Sequence, residues 1–382
     1  MMLLQYFIWG AWYVTMGTYM TEFLDATGVQ IGTAYGALAI ATMISPFFVG
    51  LVADRFFAAQ HIMGVLHLLG ALLLYMATQT TSNTLFYWVI VAYSLLYMPT
   101  IALSNSIAFS QMTDPGKQFP WIRVFGTLGW IVAGLCISLL AVEKSPHTFL
   151  MAASASAVLG IFSFALPHTP PKGERSESSV GAEAWVLLKD KAYLVFFIAA
   201  ILVCIPLSFY YGFANVFLNE LKLSNVAGKM TMGQVSEALF ILAIPFLFNR
   251  IGVKNMLLWG IGAWILRYVL FAFGDAGSGL WMLYAGIILH GICYDFFFVT
   301  GYMYTEKKAG EKIKNAAQGL FTFATYGLGM FIGTAFSGWV ADGHVHEGVH
   351  DWTPIWLMPA YIAAAVLIYF VIFFREGASQ SK

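Results

Sequence analysis

The sequence predicts an all-α membrane protein with twelve transmembrane helices in two six-helix bundles, and three observations carry that prediction. Of 382 residues, 60% are hydrophobic and 10% charged, whereas a soluble domain carries about a quarter charged residues to cover its core. Uncharged runs long enough to cross a bilayer, about 20 residues each, recur along the chain. One long polar stretch, residues 167–192, divides those runs six and six.

Taken in order with a window of about 19 residues, the first six spans are Leu3–Glu22, Gln30–Ala53, His61–Ala77, Leu85–Phe109, Trp121–Val142 and Phe149–Leu166. The first is too long and too aromatic for a cleavable signal, and no small-residue cleavage site follows it, so it is kept as a span. The polar stretch, rich in Pro, Ser and charge, reads as a linker with a short amphipathic helix near Ala182–Lys189. The second six are Tyr193–Leu218, Met230–Phe248, Asn255–Phe273, Leu280–Tyr304, Ala316–Val340 and Ile355–Phe374. The expected division is therefore 1–166, a cytoplasmic linker 167–192, and 193–382.

Charge sets orientation and excludes a partner. The 19 basic residues balance 19 acidic ones, and no Lys/Arg cluster offers a phosphate-binding surface, which argues against nucleic acid. With the N-terminus inside, fifteen basic residues fall on the cytoplasmic side, Lys144, Lys222 and Lys229 outside, and Arg267 within a span. The excess places both termini in the cytoplasm. Cys136, Cys204 and Cys293 lie in separate apolar runs and form neither a disulfide framework nor a metal pair. A single offset of 195 relates Gly17 to Gly212, Arg55 to Arg250 and Gly134 to Gly329, which points to a duplicated six-helix unit.

The inner loop GLVADRFFA (50–58) and its counterpart FNRIGVKN (248–255) resemble the loop signature of the major facilitator superfamily. In that reading Asp54, Arg55 and Arg250 form a conformational-switch loop, holding helix ends through charge and macrodipole and exchanging partners as the bundles rock. The segments WGAWYVTMGTYM (9–20), YMPT (97–100), FPWIRVFGTLGW (119–130), QVSEALFILAIPF (234–246), GVKNM (252–256), AWILRYVLFAFGD (263–275) and YDFF (294–297) are similar to the bacterial nucleoside:proton symporter family of that superfamily. The resemblance covers nearly the whole chain. It implies a monomeric inner-membrane transporter that imports nucleosides with protons by alternating access, without chemical conversion and with no cofactor beyond the coupling proton. A sugar or glycoside symporter of the same superfamily is the alternative.

Polar groups at lipid depth are expensive and therefore point to function. Glu237 and Asp295 are the carboxylates well inside spans, and Arg123 and Arg267 the basic residues. Arg123, Thr127 and Trp130 share one helical face, as do Gln234 and Glu237. Arg123 also lies near the cytoplasmic end, where a snorkelling side chain is the competing reading. The resemblance implies substrate contacts at Arg123, Thr127, Gln234, Glu237 and Asp295, with Tyr294 in place of a Phe. Ser208 and Tyr211 stand where the family has a Gln and an Asn, and His290 where it has a Tyr. Those departures leave base preference open and suggest broad base tolerance with ribose required. Asp295 is the first choice for proton coupling and Glu237 the second. Glu237 with Gln234 suits ribose hydroxyls, and Trp130, Tyr211 and Tyr294 are available to stack on a base. Arg267 is expected in packing or at the lipid interface, Phe296 to Phe298 in packing, and His61 and His67 at the interface or in the core.

The motif HEGVH (346–350) has the spelling of a zinc hydrolase. That chemistry needs both histidines on one face of a rigid helix. Here the motif follows Gly343, contains Gly348 and sits in a short polar connection, so no helix, no metal site and no catalytic residue are expected.

Overall fold

A computed structural model of the chain describes residues 1–48, 57–171 and 182–375. Among the described residues helices fall within each of the twelve expected spans, and the end of the second, residues 49–53, lies outside them. The first is broken into α1 (Met2–Trp12) and α2 (Met16–Leu24). Then follow α3 (Gly28–Phe48), α4 (Ala59–Gln79), α5 (Asn83–Ser110), α6 (Pro115–Leu140) and α7 (His147–Ser163). The linker helix is a 3-10 helix, Ala182–Lys189. After it come α8 (Lys191–Glu220), α9 (Val226–Ile251) and α10 (Val253–Phe273). The tenth span is α11 (Leu280–Ile288), α12 (His290–Tyr294), a π turn over Asp295–Val299 and the start of α13 (Thr300–Thr322), which kinks at Gly310 (φ 66°). A second π turn, Phe323–Gly329, leads into α14 (Met330–Asp342), and α15 (Trp352–Phe373) closes the chain. Nine helices among the described residues are long and apolar enough to cross a membrane by length and composition. The other spans are the broken first helix, the 17-residue α7 and the more polar α9.

The break in the first span has a specific cause. Tyr35 of α3 inserts its hydroxyl into the α1–α2 ladder, accepting from Gly17 N–H (3.2 Å) and donating to the Tyr13 carbonyl (2.6 Å). These two groups would otherwise pair as i and i−4, so the hydroxyl satisfies both while the helix opens.

Two compact units emerge. The first comprises 1–177 with 211–231, the second 178–210 with 232–382. Compared with the division drawn from sequence, the C-terminal part of α8 and the start of α9 group with the first unit. Packing explains why. A Cβ on Gly17 would fall on the carbonyl oxygen of Gly212, so the two glycines related by the 195-residue offset let α2 and α8 cross at backbone contact. Beside them Thr18 Oγ1 donates to Asn215 Oδ1 (2.5 Å), and Asn215 Nδ2 donates to Glu143 Oε1 (2.6 Å). In the second unit the core is aromatic: Trp264, Tyr268 and Trp356 stack at 5.7 and 5.6 Å, and the Tyr268 hydroxyl donates to the Pro206 carbonyl.

The segment holding HEGVH is a hairpin, with β1 (Val345–His346) antiparallel to β2 (Val349–His350). Glu347 (φ 52°) and Gly348 (φ 81°) form its turn, the double positive-φ geometry of a two-residue hairpin loop. His346 pairs with Val349 and His350 with Val345, so the histidines point to opposite faces.

Candidate transport site

In the first unit the site face of α6 is seated on α1. A Cβ on Gly129 would fall on the Leu3 carbonyl oxygen, and one on Gly126 would meet Tyr6. The small residues thus bring Arg123 and Trp130 against the aromatic run of α1, while Thr127 on the same helix is partly exposed. The Arg123 guanidinium lies 4.1 Å from the centre of the Tyr6 ring, a cation–π contact. Trp130 meets Trp9 edge-on at 5.5 Å and Tyr13 at 6.3 Å, while Tyr211 lies 5.3 Å from Tyr13. Trp130 and Tyr211, distant in sequence, therefore border one ring. Tyr6, Trp9 and Tyr13 were not singled out from sequence, although their spacing of three and four marks one helical face.

In the second unit Glu237 of α9 faces α12, and Gln234, three residues before it, is buried. A Cβ on Gly291 would run into Ser236, and Ser236 Oγ donates to the Ile288 carbonyl (2.6 Å), which fixes the crossing. Glu237 Oε2 stands 3.8 Å from His290 Nε2. Tyr294 bonds through its hydroxyl to that of Tyr326, in the second π turn. Asp295 opens the first π turn. It is fully buried, and neither carboxylate oxygen has a hydrogen-bond partner among the described residues. π turns gather at functional sites because they rotate a side chain out of helical register, and here one carries Asp295 and the other Tyr326.

Of the two places expected for Arg267, packing is the one it takes: it is fully buried, its guanidinium carbon lies 3.4 Å from the centre of the Tyr210 ring, and Nη1 is 3.1 Å from His290 Nδ1. Apolar residues all round α10 hide which side meets protein, and the buried cation is stabilised by an aromatic face and an acceptor. Ser208 does not join the polar group. Its hydroxyl donates to the Ile205 carbonyl (2.7 Å) and the side chain is buried against Gly333 of α14. Phe297 and Phe298 are fully buried in packing, as expected. His67 is a core residue, bonded to Ser156 (3.1 Å) and Gln5 (2.9 Å), while His61 is exposed. Asp54 and Arg55 lie outside the described residues, and Arg250 is exposed with its guanidinium 5.6 Å from the Phe246 ring.

The chemistry available is consistent across the two units. One offers a cation, a hydroxyl and a ring of aromatics, and the other an amide, two carboxyls and two linked tyrosines. The helical fold, with such groups inside its apolar spans, is that of a secondary transporter of the major facilitator type. The chain belongs to the nucleoside H+ symporter family, whose model matches residues 1–379. It is 42% identical over 398 residues to the YegT protein of Escherichia coli, covering 100% of this chain and 93% of that one. It is 34% identical to the nucleoside permease NupG of Escherichia coli, over 97% of this chain and 94% of that one. A crystal structure of the nucleoside transporter NupG superposes with a TM-score of 0.91, covering 98% of each chain at 34% identity.

Proposed function

We propose that this protein carries nucleosides into the cell together with protons, that Asp295 holds the transported proton, and that Arg123, Thr127, Trp130, Tyr211, Gln234, Glu237 and Tyr294 contact the substrate. Family membership supports the transport class. The single observation that supports the role of Asp295 is its complete burial with neither oxygen partnered among the described residues. An ionised carboxylate in that position costs several kcal/mol, so the group is stable there when it carries its proton and loses it when the site opens to water. Glu237, partly exposed and beside His290, suits ribose hydroxyls together with Gln234. Trp130, Tyr211 and Tyr294 suit the flat base.

The protein acts as a monomer in the inner membrane with both termini cytoplasmic, in keeping with the basic-residue asymmetry. Proton release inside and reloading outside then drive the cycle in the importing direction. Purified protein in liposomes tests this reading: acidifying the outside accumulates labelled uridine, and a protonophore abolishes the accumulation. Uridine and adenosine both compete, while ribose and free bases compete weakly. Strong competition by a disaccharide and none by any nucleoside overturns the reading in favour of a sugar symporter.

A further inference from the structure

Arg267 of α10 is a buried cation that touches His290 of α12, and His290 in turn faces Glu237 of α9, with separations of 3.1 and 3.8 Å. A guanidinium has only donors and keeps its charge in proteins. His290 Nδ1 is therefore the acceptor and bears no hydrogen. The proton of the neutral ring then sits on Nε2, aimed at the Glu237 carboxylate. A doubly protonated ring would set one N–H against another at Arg267, so the arginine fixes both the charge and the tautomer of His290. Tyr210 holds the pair in place, its ring stacked 5.1 Å from the imidazole and 3.4 Å from the guanidinium carbon. At 3.8 Å the contact with Glu237 is longer than a hydrogen bond, so the neutral ring acts on the carboxylate through the dipole of its N–H.

We propose that Arg267 and His290 are positioning residues, which together present one fixed N–H to Glu237 and keep it an oriented acceptor for the ribose hydroxyls. The proposal rests on the reading of Glu237 as the ribose contact. Three helices contribute one residue each, so the carboxylate is set by the packing of the unit rather than by its own rotamer freedom. His290 stands where the family resemblance places a Tyr, and a tyrosine hydroxyl preserves the polarity of the relay, accepting from Arg267 and donating to Glu237.

The test is competition binding on purified protein, with uridine and 2′,3′-dideoxyuridine displacing labelled uridine. In the wild-type protein the dideoxy compound is weaker by at least about tenfold, the loss expected when hydroxyls bonded to a charged acceptor are removed. Glu237→Gln brings that ratio close to one. Arg267→Met and His290→Phe bring it down as well, whereas His290→Tyr keeps it. Should Arg267→Met fail to fold, the His290 pair carries the test. If Glu237→Gln loses the ratio while His290→Phe keeps it, the relay is overturned and the ribose contact stands. If Tyr and Phe at position 290 lose it equally, His290 is packing only and the relay is again overturned. A ratio retained in Glu237→Gln, or absent in the wild type, overturns the ribose reading and the relay with it.

Discussion

In the proposed reading, stacking and charge fall to different side chains. Trp130 is held edge-on by Trp9 and Tyr13, so its rotamer is set before substrate arrives. Base stacking on an aromatic contributes about 1 to 3 kcal/mol at other sites, roughly ten- to hundredfold in affinity. Trp130→Ala should therefore raise KM for adenosine and uridine alike by about tenfold or more, read by initial uptake rates, with weak competition by ribose unchanged. Glu237 and Asp295 were legible in the sequence because a carboxyl inside an apolar span is too costly to sit there for packing alone. For Arg267 the sequence left packing and the lipid interface open, because apolar residues surround it on α10 and sequence does not say which face meets a neighbour. The tautomer of His290 depends on a residue 23 positions away, which no local pattern encodes. Ser208 keeps the expected spacing from Tyr211, and its hydroxyl donates to its own helix at the Ile205 carbonyl.

Among helices and loops, the departures from ideal geometry come from partners distant in sequence. The break between α1 and α2 is made by Tyr35 from another helix. The π turns at Asp295 and Phe323 are equally invisible to hydropathy, which reads residues 280–304 as one span. The hairpin at 345–350 was legible in part, since glycines around HEGVH speak against a helix, and Gly348 does take a positive φ. The loop between α6 and α7 carries a group that span-counting passed over. Glu143 is buried there, accepts from Asn215 (2.6 Å) and Asn219 (3.4 Å), and burial pushes its carboxyl above its ordinary value of 4.5. The folded chain thus holds this proton to higher pH than the unfolded chain. Its contribution to stability is complete below about 4.5 and is lost as pH rises through the raised folded value. Glu143→Gln keeps an acceptor for the two asparagines without the buried charge, so it should raise the melting temperature in detergent by about 2 to 4 °C near pH 8. That advantage should shrink as pH falls toward 4.5. A variant melting lower than the wild-type protein at pH 8 would show that the hydrogen bonds outweigh the charge.

For the molecule as a whole, composition alone established the membrane class, and hydropathy placed twelve spans that helices occupy. Contact grouping was less legible: residues 211–231 join the first unit because glycines 195 positions apart meet at Gly17 and Gly212, a pairing that the repeat hints at but does not dictate. Orientation rests on charge, and it is checked from both sides of the membrane. A cysteine at Ser224 should react with an impermeant thiol reagent added outside intact cells, and one at Glu183 only in inverted vesicles. The reverse pattern would invert the topology and the direction of proton coupling.

Coupling itself comes down to whether Asp295 carries the proton. Asp295→Asn preserves size and much of the hydrogen bonding but removes the titrating group. The measurement is uptake of labelled uridine into liposomes under an imposed pH gradient, alongside counterflow with no gradient. The expected result is loss of uphill accumulation with counterflow retained, since exchange needs no proton to leave the site. Accumulation that persists in Asp295→Asn and disappears in Glu237→Gln would contradict the assignment and move the proton to Glu237.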